Sequence, residues 1–416
     1  MKNILIIFVV FLIGMPVFAQ QSPDVSFYIN EFNRSDSNLT YMLDILKRVK
    51  DENQTGFGDF YHNAIRVYIQ RLSNYTQHRY RTEVEEAAKM ILQGLAAEEH
   101  TPAAPYIWNL IEYFNISQMQ NNGLLMIEGI LTMGKVNGKN YAKHLADMLD
   151  RFNARETTDP VAKGRVQYVV PALIHALELL CEPVGVKPVF LASIGWYDDD
   201  VKAVASSAIN NMIEALQEVI SDTISRVILD HFNFPNIKIL AWRELLRTQL
   251  PDSSKAKVAV AAYEASYTFA TSSSESQNTL RLMRLSAIDT IRTMGVEDDR
   301  AYAFLERTYR EAHDLTPNTD FEVSILVISA LAAVKTDEAI NLLAEFLRGL
   351  DARKRSGPWI AVDRDIMSIL IQSLGTTGTD SREVIQLLTR ISMSNAYTVA
   401  EQDWAKEALT ALGRGR

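Results

Sequence analysis

The stretch VSILVISALAAVKTDEAINLLAEFLRGL, Val323 to Leu350, decides the fold class. Its second half places Ile340, Leu343, Leu347 and Leu350 on one face of a helix and turns Asn341, Glu345 and Arg348 away from it, the pattern of an amphipathic helix. The first half is apolar almost all round. Phe321, Ile325, Leu326, Ile328, Leu331 and Val334 suit a helix that packs on its hairpin partner and on a further neighbour. Between the two halves lies a short polar turn, where Thr336 or Asp337 can cap the second helix by accepting a backbone N–H bond.

Outward from this hairpin the rhythm repeats. It returns in IMSILIQSLGTTGTDSREVIQLLTRI (Ile366 to Ile391) and LMRLSAIDTIRTMGVEDDRAYAFLERTY (Leu282 to Tyr309). Looser versions are LMIEGILTMGKVNGKNYAKHLADML (Leu125 to Leu149) and ALIHALELLCEPVGVKPVFLASIG (Ala172 to Gly195). At the turn of the Ile366–Ile391 unit, Asp380 and Glu383 read as a capping-box-like pair. Aligning the turns at Gly295, Lys335 and Gly378 gives a period of about 40–45 residues, in the range of helical repeats. Runs such as VKAVASSAINNMIEAL and AKVAVAAYEA are rich in alanine and keep helical spacing. The chain therefore predicts an all-α fold. A single hairpin cannot bury both of its apolar faces, so each unit needs neighbours.

These hairpins resemble the HEAT-repeat family over roughly residues 80–412, most clearly after about residue 280. The resemblance implies a right-handed α-solenoid of stacked hairpins that works as an interaction scaffold. The family's proline in the first helix and basic residues at fixed places in the second are not consistently met. Residues 20–79 read as a divergent N-terminal helical cap, residues 80–416 as the repeat array with a C-terminal cap, and Thr271–Ser276 as an exposed loop between helices.

Residues 1–19 have the form of a signal peptide. Lys2 supplies the positive end, Ile4 to Ile13 the apolar run, and Val17, Phe18 and Ala19 the cleavage site. The run is interrupted by Gly14 and Pro16 and is short for a hydrocarbon layer of roughly 30 Å. Cleavage after Ala19 is expected, with a bacterial periplasmic product and secretion as the alternative. No cysteine follows Ala19, so lipoprotein attachment is not expected. Loss of Lys2 takes the formal charge from −9 to −10. That acidity argues against nucleic acid, whose phosphates require a basic footprint. Cys181 is the single cysteine, which excludes an intramolecular disulfide and, in ALELLCEP, reads as a small buried hydrophobe.

The chemistry-bearing residues are scattered. The seven histidines show no HExxH and no Glu-x-x-His pair, so neither a metal nor a cofactor is expected. His175 and Glu178, three apart on a helix, read as a structural polar pair. No nucleophile elbow, phosphate-binding loop or dinucleotide fingerprint occurs. Asp198, Asp199 and Asp200 lack the alternating ligands and glycine of a calcium loop and read as a helix cap. Trp196 and Tyr197 before them are candidate partner-binding anchors, with packing between repeats as the structural alternative. Arg353, Lys354 and Arg355 form a compact basic loop, a second candidate contact for an acidic partner or an anionic headgroup. Arg281, Arg284 and Arg292 could line a groove or lie over apolar surface.

Two function classes follow. The first is a non-enzymatic envelope scaffold that holds a protein or peptide partner, with peripheral membrane contact and self-association as further modes. The second is an envelope enzyme on a helical superhelix or toroid, acting on a glycan with a carboxylate pair about 5–10 Å apart.

Overall fold

The computed structural model describes residues 24–35, 38–52, 55–75, 81–116, 122–296, 298–313, 320–357 and 359–414. The expected signal peptide, residues 1–19, lies outside them. The described residues form nineteen α-helices and no strand, as the periodicity predicts. None of these helices is long and apolar enough to cross a membrane. Contacts divide the chain into two units, the first running to Met148 and including Thr157–Leu180, the second comprising Leu149–Glu156 and the chain from Cys181. No composition shift in the sequence marks this division.

The first unit contains α1 (Val25–Arg34), α2 (Leu39–Asp51), α3 (Gly58–Leu72), α4 (Arg81–Ala97), α5 (Ala104–Ile116), α6 (Asn122–Lys135), the opening of α7 (Ala142–Asn153), and α8 (Pro160–Leu180). The segment read as a divergent cap begins with two well-capped helices. Asp24 accepts from the Phe27 N–H at 3.1 Å and Asn38 from that of Tyr41 at 3.2 Å. α3 packs on α1, α4 and α5, α4 on α2 and α6, and α6 on α5 and α8. Cys181, just past α8, is half-buried with φ 49°, so it is a left-handed helix terminator and not the fully buried hydrophobe expected.

The second unit holds α9 (Pro183–Ile194), α10 (Asp199–Leu229), α11 (Pro235–Arg247), α12 (Asp252–Thr268), α13 (Ser274–Met294), α14 (Arg300–His313), α15 (Phe321–Val334), α16 (Asp337–Ser356), α17 (Ala361–Thr376), α18 (Arg382–Met393) and α19 (Val399–Ala411). Odd-numbered helices pack each on the next odd one, from α9 to α19, and even-numbered helices do the same from α10 to α18. In both units every substantial helix contact joins helices one or two places apart in the chain. α10 is kinked at Leu216 (φ −129°, ψ 26°).

The three turns that set the period share one backbone device. Gly295, Lys335 and Gly378 have φ of 99°, 59° and 71°, so each hairpin reverses through a left-handed residue. Thr336 caps α16, its hydroxyl accepting from the Ala339 N–H at 3.3 Å. Asp380 and Glu383 do not form the expected capping box. Asp380 pairs with Arg414, just past α19, at 3.1 Å and Glu383 with Arg348 of α16 at 3.5 Å, so both are drawn to cations outside their own turn. A true box closes instead at α19, where Thr398 and Glu401 exchange bonds.

Bonds between repeats carry the same period. Side-chain bridges between helices of this unit include spans of 34 residues (Arg414 to Asp380), 40 (Arg353 to His313) and 47 (Lys354 to Glu401). Each successive pair of even helices is joined by an ion pair. Lys257–Asp222 (3.3 Å) ties α12 to α10, Arg300–Glu264 (2.7 Å) ties α14 to α12, Arg310–Glu345 (2.6 Å) ties α14 to α16, and Arg348–Glu383 ties α16 to α18. Exposed pairs of this kind contribute about 0–1 kcal/mol each, so they set register more than stability. Stability comes from the buried faces, among them Ile340, Leu343, Leu347 and Leu350.

Candidate functional site

The densest polar cluster lies around the last turn of α16. Arg353, Lys354 and Arg355 are helical there, which corrects the expectation of a basic loop, and their charges face the negative end of the helix dipole. Pro358 of the same motif lies outside the described residues. Each cation has a carboxylate. Arg353 donates to Asp363 at 3.0 Å, Lys354 to both oxygens of Glu401 at 2.5 and 2.7 Å, and Arg355 to Asp351 at 2.9 Å.

Those carboxylates are buried, so the pairing is structural. Asp363 and Glu401 have no exposed surface, and Asp351 is 5% exposed. Asp351 also receives Arg390 of α18 at 2.5 Å and the Tyr397 hydroxyl. Burial first, then the bond to Asp351, pushes the Tyr397 hydroxyl above its ordinary range, which keeps it a donor. Burial alone would raise Glu401, yet the Lys354 bond, followed by bonds from Thr398, outweighs it and holds the carboxyl below its usual range. Lys354 is further enclosed by the rings of Trp359 and Tyr397, 4.6 and 5.4 Å from their centres.

Beside this cluster an open cleft of about 480 Å³ runs between α14 and α16. Its charged lining is Arg310, Arg348 and Arg353 with His313 and Glu345, and its apolar wall is the Tyr309–Phe346 pair, stacked at 3.8 Å and 11°. His313 is 4% exposed and reaches both Asp363 (3.3 Å) and Arg353 (3.2 Å) through Nε2, which donates to the first or accepts from the second according to tautomer. The cleft thus joins exposed guanidinium groups to a rigid, ion-paired back wall.

Trp196 and Tyr197 sit elsewhere, in the α9–α10 turn, and pack between helices. The half-buried Trp196 indole donates to the Phe152 carbonyl at 3.2 Å, and the buried Tyr197 donates to Asn153 at 3.0 Å. Burial raises the Tyr197 hydroxyl, so it too stays protonated. The neighbouring Asp198 caps α10, accepting from Val201 at 3.0 Å, as its position predicts. His175 and Glu178 meet at 3.2 Å on an exposed face. The three arginines of α13 separate: Arg281 pairs with Asp320, Arg292 with Asp289, and Arg284 stacks over Tyr267 at 3.7 Å from the ring centre.

Sequence reasoning missed His313, Asp351, Asp363, Tyr397 and Glu401. Two signals for them were present: the Asp351 to Arg355 spacing of four on one helix, and the T-x-x-E box at Thr398. The long-range pairing was not visible, since Lys354 and Glu401 are 47 residues apart. Among the described residues no group of three His, Cys, Asp or Glu side chains is placed to hold a metal ion. No family model matches the chain, and no curated protein matches it.

Proposed function

We propose that the protein is a non-enzymatic scaffold of the bacterial cell envelope, a HEAT-like right-handed solenoid that holds a protein or peptide segment. The observation that carries this reading is the α14–α16 cleft. It presents three arginines against one glutamate, in a chain whose overall charge is −9, over a stacked aromatic wall. That combination suits a segment bearing carboxylates beside apolar side chains. Arg310 and Arg348 are each about half exposed. Their present ion pairs contribute about 0–1 kcal/mol, so a partner's carboxylate can replace Glu345 or Glu383 at little cost. Arg353 is fixed on buried Asp363 and serves as a positioned wall. Export follows from the character of residues 1–19, and additive contacts along successive repeats would extend the grip beyond the cleft.

The test is in-cell crosslinking of the mature protein from the envelope fraction, followed by affinity purification and mass spectrometry, beside the Arg310→Ala/Arg348→Ala double variant. We expect a reproducible set of partners that the double variant loses while its melting temperature changes by no more than a few degrees. Recovery of the same partners with both proteins would remove the cleft as the binding surface. Recovery of only the protein itself would replace the reading with self-assembly.

A further inference from the structure

The strongest cluster outside that cleft is in the first unit, where the chain brings two histidines into contact. His62 is on the second turn of α3, and His100 is at the corner between α4 and α5. Their facing nitrogens, Nδ1 of His62 and Nε2 of His100, are 3.3 Å apart, and Asp59 stands 3.7 Å from the same His100 nitrogen. We propose that His62 and His100 form an acid-released latch that fastens the α4–α5 corner to the start of α3.

Three features show that the contact is built into the backbone. Glu99, just before His100, has φ 49°, a left-handed conformation that a glutamate rarely adopts and that turns the chain sharply at the end of α4. The corner is then pinned by His100 N–H on the Leu95 carbonyl (3.2 Å) and Ala103 N–H on the His100 carbonyl (3.1 Å). The imidazole lies directly over Gly58, where a Cβ would stand 2.5 Å from its Nδ1, so only glycine admits the ring. Besides the ring-to-ring bond, the Gly56 N–H donates to Glu98 at 2.9 Å.

A neutral pair makes a good bond, because one ring offers its N–H and the other its lone pair. A second proton sets two N–H groups against each other and removes the acceptor. The groups facing His62 are Asp59 and Arg66 on its own helix, His100 on the α4–α5 corner, and the Tyr106 ring of α5 at 5.4 Å. Burial first and His100 next lower the proton affinity of His62, with Arg66 adding to this and Asp59 opposing. The unfolded chain therefore binds that proton before the folded one does, and the latch loses stability as pH falls below the ordinary histidine value of about 6.5.

Imidazole nitrogen NMR of the full mature chain between pH 8 and 5, with assignments from His62→Gln and His100→Gln, reads the latch directly. We expect two coupled steps, the lower one on His62, and amide exchange at residues 98–103, corrected for its intrinsic pH dependence, that rises about tenfold for each unit by which that step is depressed. In His62→Gln the rise disappears. Independent titration of the two rings at an ordinary midpoint, or exchange that does not respond to pH in the wild type, would overturn the proposal. Both wild-type readings stand even where a variant fails to fold.

Discussion

Leu343 has no exposed surface and sits mid-helix on the inward face of α16. Truncating it leaves a cavity between helices that cannot close on each other without moving the next repeat. We expect Leu343→Ala to cost about 2–5 kcal/mol, read as a lower urea midpoint, and an unchanged midpoint would take Leu343 out of the core. This residue is legible from periodicity alone, because burial on an amphipathic helix follows from spacing. Trp196 is the opposite case. Its sequence context allows either an exposed anchor or a packed ring, and in the fold its N–H goes to the Phe152 carbonyl, 44 residues away, with the ring half-buried. Spacing shows which face of a helix is wet, but it does not show which distant carbonyl needs a donor.

Two helical glycines have opposite surroundings, and only one of them governs how closely helices approach. In α17, a Cβ on Gly375 would stand 2.9 Å from the Ala408 Cα of α19, so the two helices are in backbone contact there. In α16, a Cβ on Gly349 would meet nothing within 4 Å. Gly375→Ala should therefore destabilise by about 1–3 kcal/mol through forced separation. Gly349→Ala should stabilise by up to about 1 kcal/mol through helix propensity. Thermal melting of the two variants checks both signs, and equal shifts would refute the packing argument. The helices themselves, most of their approximate ends and the turns at Gly295, Lys335 and Gly378 are legible in the sequence, since local pattern and cap chemistry determine them, whereas the left-handed backbone at Lys335 is not. The basic stretch at Arg353 to Arg355 was misread as a loop because Gly357 and Pro358 follow it. The stop falls one turn later than the charges suggest, at Ser356.

Within each unit the substantial helix contacts join helices one or two places apart, so stability is passed along from neighbour to neighbour. Among the described residues α19 packs on α17 and α18, and its buried set is Glu401, Ala405, Ala408 and Leu409. Native-state hydrogen exchange should find α19 opening at lower free energy than α13 and α15, which are packed on both sides. Equal protection would show that the unit opens only as a whole. The all-helical character was legible at this scale, but the division into two units was not, because no linker composition accompanies it. The ion-paired rungs also bear on how such a chain can change its length. Arg310 to Arg348 is the same 38-residue step as Glu345 to Glu383 (348 − 310 and 383 − 345). Excising one such step between these rungs would bring Arg310 opposite Glu383, with the charge match intact. Duplicating it would add a further matched rung. Between these two rungs a gene for this chain can thus gain or lose coding sequence in one quantum with the charge match kept, whereas a change there of a different size would leave both partners facing the wrong neighbour.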